Sequence, residues 1–245
     1  MDKRPGWNEI GNRSDTPVVR PARFEEWLSV QFVPYDCVDS VWDRFPPRGE
    51  EEPPEFLGTD DEIADLFTYT MLSSGTELSR LTDWQLGNGL DNLLNNHFSE
   101  VVFSIRDGAI SDEKKIAALE SLVVLYRDCL TPRASHVLGH LSEQGRCNPL
   151  DRICYMLWGV TPLSYWPEAD RAASMYPVII DVMESALYSD NCAVIESGLH
   201  GLGHTVYKFE TAAVAAIDHF IDKRGGLVRD ELIFYAKQAR TGMIL

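Results

Sequence analysis

Apolar residues recur every three to four positions along most of the chain, which is the pattern of amphipathic helices. One clear stripe contains Ile63, Leu66 and Met71, and it follows the sequence Thr59-Asp60-Asp61-Glu62. Threonine followed by acids is a typical helix start, because the hydroxyl accepts a free backbone N–H and the acids complement the helix dipole. No segment shows the strict alternation of apolar and polar residues that indicates a half-buried strand.

The same criteria predict about twelve helices joined by short connections. They cover residues 24–32, 36–45, 59–71, 82–94, 99–105, 111–126, 133–143, 149–160, 169–188, 191–207, 210–223 and 228–240. An all-α chain of this kind favours stacked antiparallel helices, an α-solenoid of the HEAT or armadillo type. The pattern A-x-x-E-S occurs at Ala117–Ser121 and again at Ala193–Ser197. Their offset is close to two periods of a repeat of about 40 residues.

The sequence predicts one helical domain over residues 21–245, preceded by a flexible arm over residues 1–20 that has no apolar periodicity. Within the domain, prolines prevent a helix over residues 46–54. Seven acids and one base lie between Arg48 and Glu62, and we expect this acidic segment to be exposed.

Charge excludes several classes of function. The 245 residues contain 22 Lys plus Arg against 38 Asp plus Glu, a formal net charge of −16. Such a charge repels nucleic acid and anionic membrane surfaces, so we predict neither as a direct partner. The chain has no apolar run long enough to span a bilayer and no secretory signal at its start, and its five cysteines form no C-x-x-C pair. We therefore expect a cytoplasmic protein with reduced thiols.

The histidines are the main candidates for chemistry. On a helix, Glu196, His200 and His204 share one stripe, and His136 and His140 have the same H-x3-H spacing. Two such pairs can ligate a metal ion together with a carboxylate. The alternative, which we favour, is a seam between packed helices, in which the histidines are hydrogen-bonded and the intervening glycines admit a neighbouring backbone.

Evidence for other kinds of catalysis is weak. Cys154 lies in the apolar run Ile153–Trp158, where a thiol is normally an inert core residue. The chain contains no G-x-S-x-G motif, no phosphate-binding loop ending in lysine and no G-x-G-x-x-G after a strand. Common hydrolase and nucleotide-dependent functions therefore find no support.

Contacts to a partner are predicted at two places. Tyr165 and Trp166 lie between the proline breaks at Pro162 and Pro167, and tyrosine and tryptophan are enriched at interface hot spots. The second place is the acidic segment. The candidate partner-binding residues are Glu50, Glu51, Glu52, Glu55, Tyr165 and Trp166.

Three motifs carry a resemblance to a known family. They are Asn148-Pro149-Leu150, Cys154-Tyr155-Met156-Leu157-Trp158 and Glu196-Ser-Gly-Leu-His-Gly-Leu-Gly-His204. They resemble an uncharacterised bacterial family of helical, HEAT/armadillo-like proteins, and the likeness spans most of the chain after residue 20. Leu157, Gly159 and Gly198 depart from that family's pattern, which has an acid at the position of Gly159. The resemblance implies the fold and transfers no activity.

The leading hypothesis is a non-enzymatic protein-binding module that needs no cofactor. With this charge the partner would be basic, as in a bacterial immunity or inhibitor protein that neutralises a toxin acting on nucleic acid. A homodimer is a further possibility. The alternative is a metal-dependent hydrolase or oxygenase that uses the paired H-x3-H motifs.

Overall fold

The computed structural model describes residues 19–32, 55–95, 97, 100–143 and 149–244. Nearly all of the predicted arm, the predicted helix 36–45 and residues 48–54 of the acidic segment, with Glu50, Glu51 and Glu52, lie outside these ranges. In the described residues the fold is all-helical and contains no strand, which confirms the predicted class.

Ten helices of four or more residues make up the described fold, fewer than the twelve expected. They are α1 (Phe24–Gln31), α2 (Asp60–Leu72), α3 (Ser74–Glu77), α4 (Asp83–Leu94), α5 (Val101–Arg106), α6 (Asp112–Val124), α7 (Pro149–Val160), α8 (Ala169–Ala186), α9 (Cys192–Arg224) and α10 (Asp230–Ala239). Helix α6 continues through a π-helical turn at Leu125–Leu130 and a short helical turn at Thr131–Arg133. Two 3₁₀ turns lie at Gly139–Leu141 and Pro162–Ser164.

Helix starts follow the predicted capping residues. The Thr59 side chain accepts from the backbone of Glu62 at the start of α2, and Ser111 caps α6 in the same way. At the start of α4, Thr82 and Gln85 form a reciprocal capping box. These bonds satisfy N–H groups that the first turn of a helix leaves without partners.

Two of the predictions about helices differ from the structure. Residues 133–143 are mainly a loop, because their backbone N–H groups bond to side chains: Ser135 donates to Asp151 and Leu138 to Glu143. The predicted helices 191–207 and 210–223 are one element, α9, with a kink at Phe209 (φ −143°, ψ 59°). The first prediction is therefore wrong, and the second divided one kinked helix into two.

The buried apolar side chains form one cluster, with the first half of α9 at its centre. Every residue from Cys192 to Gly203 is buried, and α9 packs against α7, α8 and α10. Other contacts join α2 to α6, α4 to α7 and α6 to α8, so helices distant in sequence meet. Because these contacts extend beyond neighbouring pairs, the repeating solenoid stays a prediction.

Glycines allow the close approach around α9. A Cβ added at Gly201 would lie 2.5 Å from the Trp158 ring, and one at Gly203 would lie 3.2 Å from the Cα atom of Ala239 in α10. This confirms the expectation that a helix backbone packs close to this glycine-rich stretch.

Two predictions about environment can be compared with the described residues. Cys129, Cys154 and Cys192 are buried free thiols, whereas the other two cysteines lie outside the described ranges. Among the described helices, none combines the length and the apolar character needed to cross a membrane.

Candidate functional site

Six polar side chains from four segments meet at one side of α9. We term them the histidine cluster: His140, Tyr155, Glu196, His200, His204 and Tyr235. The stripe of three residues predicted on α9 supplies half of it. The 3₁₀ turn supplies His140, α7 supplies Tyr155 and α10 supplies Tyr235.

The carboxylate of Glu196 is fully buried and organises the turn that carries His140. It accepts hydrogen bonds from the backbone N–H groups of Gly139, at 2.7 Å, and His140, at 2.9 Å, and it also pairs with His140 Nδ1. Because a carboxylate only accepts, His140 Nδ1 is the donor in this pair, and the other ring nitrogen is Nε2. That Nε2 atom is buried without a hydrogen-bond partner, on a side chain that is 10% exposed.

A second chain of hydrogen bonds leads from the core to the surface. His200 Nδ1 lies 2.8 Å from the hydroxyl of Tyr235, which is also hydrogen-bonded to Tyr155. On its other side, His200 Nε2 lies 3.1 Å from His204 Nε2. The ring of His140 stacks on Tyr235 with centroids 4.3 Å apart, so the two parts of the cluster touch.

Burial sets the charge state of this second chain. Desolvation, and secondarily the neighbouring His204, lowers the pKa of His200 to about 4. Desolvation also lowers the pKa of His204 and raises those of Tyr155 and Tyr235. His200 is therefore neutral at pH 7, and of the two facing Nε2 atoms one donates while the other accepts.

Gly159 leaves a narrow gap beside the two facing nitrogens, with less room than a methyl group normally needs. It is an exposed residue near the end of α7, and a Cβ added there would lie 3.2 Å from His200 Nε2 and 3.6 Å from His204 Nε2. His204 is itself exposed, whereas His200 and Glu196 are buried. Of the two rings, His204 is therefore the one that a small ligand from solvent reaches first.

The two predicted H-x3-H pairs do not form one site. His140 joins Glu196, but His136 is exposed, and none of the contacts of the described residues joins it to the cluster. The reason is that 133–143 is a loop, so the helical spacing that would align the two rings is lost. Across the described part of the chain, no three His, Cys, Asp or Glu side chains are arranged to hold a metal ion.

The predicted partner-binding residues also separate. Tyr165 is 46% exposed and Glu55 is exposed, whereas Glu50, Glu51 and Glu52 lie outside the described residues. The structure corrects the assignment of Trp166, which is 2% exposed and donates its indole N–H to the carbonyl of Leu163. Trp166 anchors the loop and is not available to a partner.

Sequence reasoning missed the two tyrosines of the cluster. Tyr235 lies on the buried face of α10 with Leu232, Ala236 and Ala239, which is the pattern of an ordinary core aromatic. Only its hydroxyl, held between His200 and Tyr155, distinguishes it, and that contact depends on the packing of α7, α9 and α10.

Comparisons with models of protein families, with curated proteins and with solved structures found no match to this chain. What the site can do therefore follows from its own chemistry. Neutral imidazoles that face an open space can accept a proton, donate a hydrogen bond or bind a transition-metal ion.

Proposed function

We propose that this protein is a non-enzymatic protein-binding module whose partner is basic. Its net charge of −16 favours a partner of opposite sign and would speed their encounter. Within that class, a bacterial cytoplasmic immunity or inhibitor protein that blocks a nucleic-acid-directed toxin fits the charge and the size.

The observation that carries this proposal is the way the acidic segment is attached to the helical body. Phe56 is buried, its ring lies edge-on to Trp27 at 5.1 Å, and the guanidinium of Arg23 stacks over it at 4.3 Å. On either side of this anchor, Glu55 is exposed and Leu57 is 75% exposed. Phe56 therefore holds this part of the acidic segment against α1, while the residues on either side of it face solvent.

An exposed apolar residue among acids has the composition of a binding surface. Apolar contacts at the centre of an interface supply most of the binding energy, and charged residues at the rim steer the partner. Leu57 lies between Glu55 and the acids at the start of α2, where Asp61 is 64% exposed. Tyr165 provides a second exposed ring, with the ammonium of Lys208 over it at 5.0 Å.

The finer form of the proposal is a HEAT/armadillo-like stack that presents an extended face. Stacked helical pairs build such faces without catalytic groups. The exposed acids would then act mainly on the rate of association, because long-range attraction is lost with salt while close contacts persist.

The experiment compares two variants that lose the same number of charges. In the first, Glu50, Glu51, Glu52 and Glu55 become Gln. In the second, four exposed acids elsewhere are neutralised: Glu100→Gln, Glu168→Gln, Glu210→Gln and Asp222→Asn. Partners captured from the native cell by the unmodified protein are identified by mass spectrometry, purified and used for association kinetics at two salt concentrations.

We expect the first variant to associate more slowly at low salt, with little change in dissociation, and the second to associate nearly as fast as the unmodified protein. Equal association rates for all three proteins would contradict a role for the acidic segment. Light scattering on the free chain separates a homodimer from binding to another protein.

The alternative function, a metal-dependent hydrolase or oxygenase, is supported by fewer residues than the sequence suggested. His136 lies apart and His140 is paired with Glu196. The observation in its favour is the facing pair, His200 and His204, whose Nε2 atoms lie beside the gap at Gly159. Elemental analysis of protein purified without a histidine tag tests it, since substoichiometric metal would contradict it.

A further inference from the structure

We propose that His200 and His204 form a binding site for one divalent transition-metal ion of the Zn²⁺ type, which enters at Gly159. The site is independent of the partner-binding proposal. The metal-dependent hydrolase or oxygenase would depend on such a site. The present proposal is narrower, because it names the ion that binds and assigns no reaction.

The first argument is the distance between the two donor atoms. His200 Nε2 and His204 Nε2 are 3.1 Å apart, and the two rings meet edge to face at 84°. Two imidazole nitrogens bound to one Zn²⁺ at about 2.0–2.1 Å in tetrahedral geometry lie about 3.3 Å apart. The pair is therefore close to a chelating arrangement, and both side chains come from successive turns of one helix.

The second argument is the group on the far side of His200. Metal-ligating histidines usually donate their other ring N–H to an acceptor, which orients the ring and leaves the ligating nitrogen unprotonated. His200 Nδ1 lies 2.8 Å from the Tyr235 hydroxyl, which is in turn hydrogen-bonded to Tyr155. Donation from Nδ1 to Tyr235 leaves the lone pair of His200 Nε2 directed at His204 and at the gap.

Metal entry then requires only a change of tautomer at the surface. With the His200 proton on Nδ1, His204 donates its Nε2 proton to His200 in the metal-free protein. When the ion binds, that hydrogen bond is broken and the His204 proton moves to Nδ1, so that each imidazole gives a lone pair to the metal. His204 is exposed, so water can carry this proton.

The third argument is access. The residue facing both nitrogens is Gly159, which has no side chain to cover them, and the neighbouring His204 is exposed to solvent. Because no third protein ligand lies in place among the described residues, solvent would complete the coordination shell. Such a site resembles an open catalytic site more than a closed structural one, and its ion should exchange readily.

The test is a titration of the full chain, made without a histidine tag and treated with a chelator, with Zn²⁺ as the only probe. Binding is followed by calorimetry in the unmodified protein, in His204→Ala and in His136→Ala. His136 is the matched control because it is also an exposed histidine of an H-x3-H pair. Far-UV circular dichroism checks that each variant is folded.

We expect one ion per chain in the unmodified protein and an unchanged affinity in His136→Ala. His204→Ala should bind more than about tenfold more weakly, because one of two protein ligands is lost. Absence of binding in the unmodified protein, or an unchanged affinity in His204→Ala, would each overturn the site.

Discussion

Lys115 offers the sharpest test of the packing between α5 and α6. Its side chain is fully buried, and Nζ donates to the carbonyl oxygens of Ile105, Arg106 and Gly108 at 3.0, 2.8 and 3.0 Å. These carbonyls lie at the end of α5, where a helix has no N–H partners of its own. One ammonium group therefore caps the C-terminus of a neighbouring helix from inside the protein.

Replacing Lys115 with Met keeps much of the apolar stem and removes the three donors. The carbonyl of Ile105 is buried, and leaving such an acceptor unpaired costs about 1–3 kcal/mol. The other two carbonyls are partly exposed and can bond to water, so each loses about 0.5–1.5 kcal/mol. The relief from burying a charge offsets part of this loss, and we expect a net destabilisation of about 2–4 kcal/mol.

The measurement is urea denaturation at pH 7 followed by far-UV circular dichroism. Lys114→Met is the control, since Lys114 is the adjacent lysine and pairs on the surface with Asp61 and Asp65, both at 2.8 Å. Surface pairs contribute little, so the control should lose less than about 1 kcal/mol. A Lys115→Met protein as stable as the control would refute the argument that the buried ammonium caps α5.

Two further predictions concern a close approach and an acid-sensitive pair. Gly87→Ala should lower the free energy of unfolding by about 1–3 kcal/mol, because its Cβ would lie 2.2 Å from the backbone nitrogen of Leu150. The control is Gly226→Ala, whose Cβ would have no atom within 4 Å. In the same denaturation assay this control should be nearly as stable as the unmodified protein. Equal free energies of unfolding for the two variants would contradict a close contact between α4 and α7 at Gly87. The hydrogen bond from Arg229, followed by one from a backbone N–H, lowers the pKa of Glu143 from its usual 4.5 to about 2. The ionised carboxylate therefore stabilises the fold above about pH 4.5, and this contribution is lost as the pH falls towards 2. The difference in the free energy of unfolding between the unmodified protein and Glu143→Gln should narrow as the pH falls from about 4.5 towards 2. A constant difference would contradict the stabilising role of the ionised carboxylate.

The acidic segment shows how far sequence reasoning about exposure reached, while its role in binding a partner stays a prediction. The charge pattern predicts exposure, and Glu55 is exposed. The charge pattern does not indicate that Phe56 anchors the segment to α1, because a single aromatic residue among prolines and acids is typical of a loop. Only the positions of Trp27 and Arg23, about thirty residues earlier in the sequence, explain its burial.

The histidine cluster shows the same division. Glu196, His200 and His204 were predicted to share a face because helix geometry alone aligns positions four apart, and they do lie along α9. The pairing of Glu196 with His140 was not predictable, since it joins residues 56 positions apart. The identical H-x3-H spacing at His136 and His140 was misleading, because spacing on a helix has no meaning where the chain is a loop.

What the sequence by itself determined is therefore local. The starts of α2, α4 and α6 follow from Thr59, Thr82 and Ser111, because each cap bonds to a backbone N–H three residues later. What only the tertiary structure decided depends on partners far along the chain. Residues 133–143 have helical periodicity, yet Asp151 and Glu196 accept hydrogen bonds from their backbone N–H groups. These long-range acceptors overrode local preference, and a pattern that spans a few residues cannot contain them.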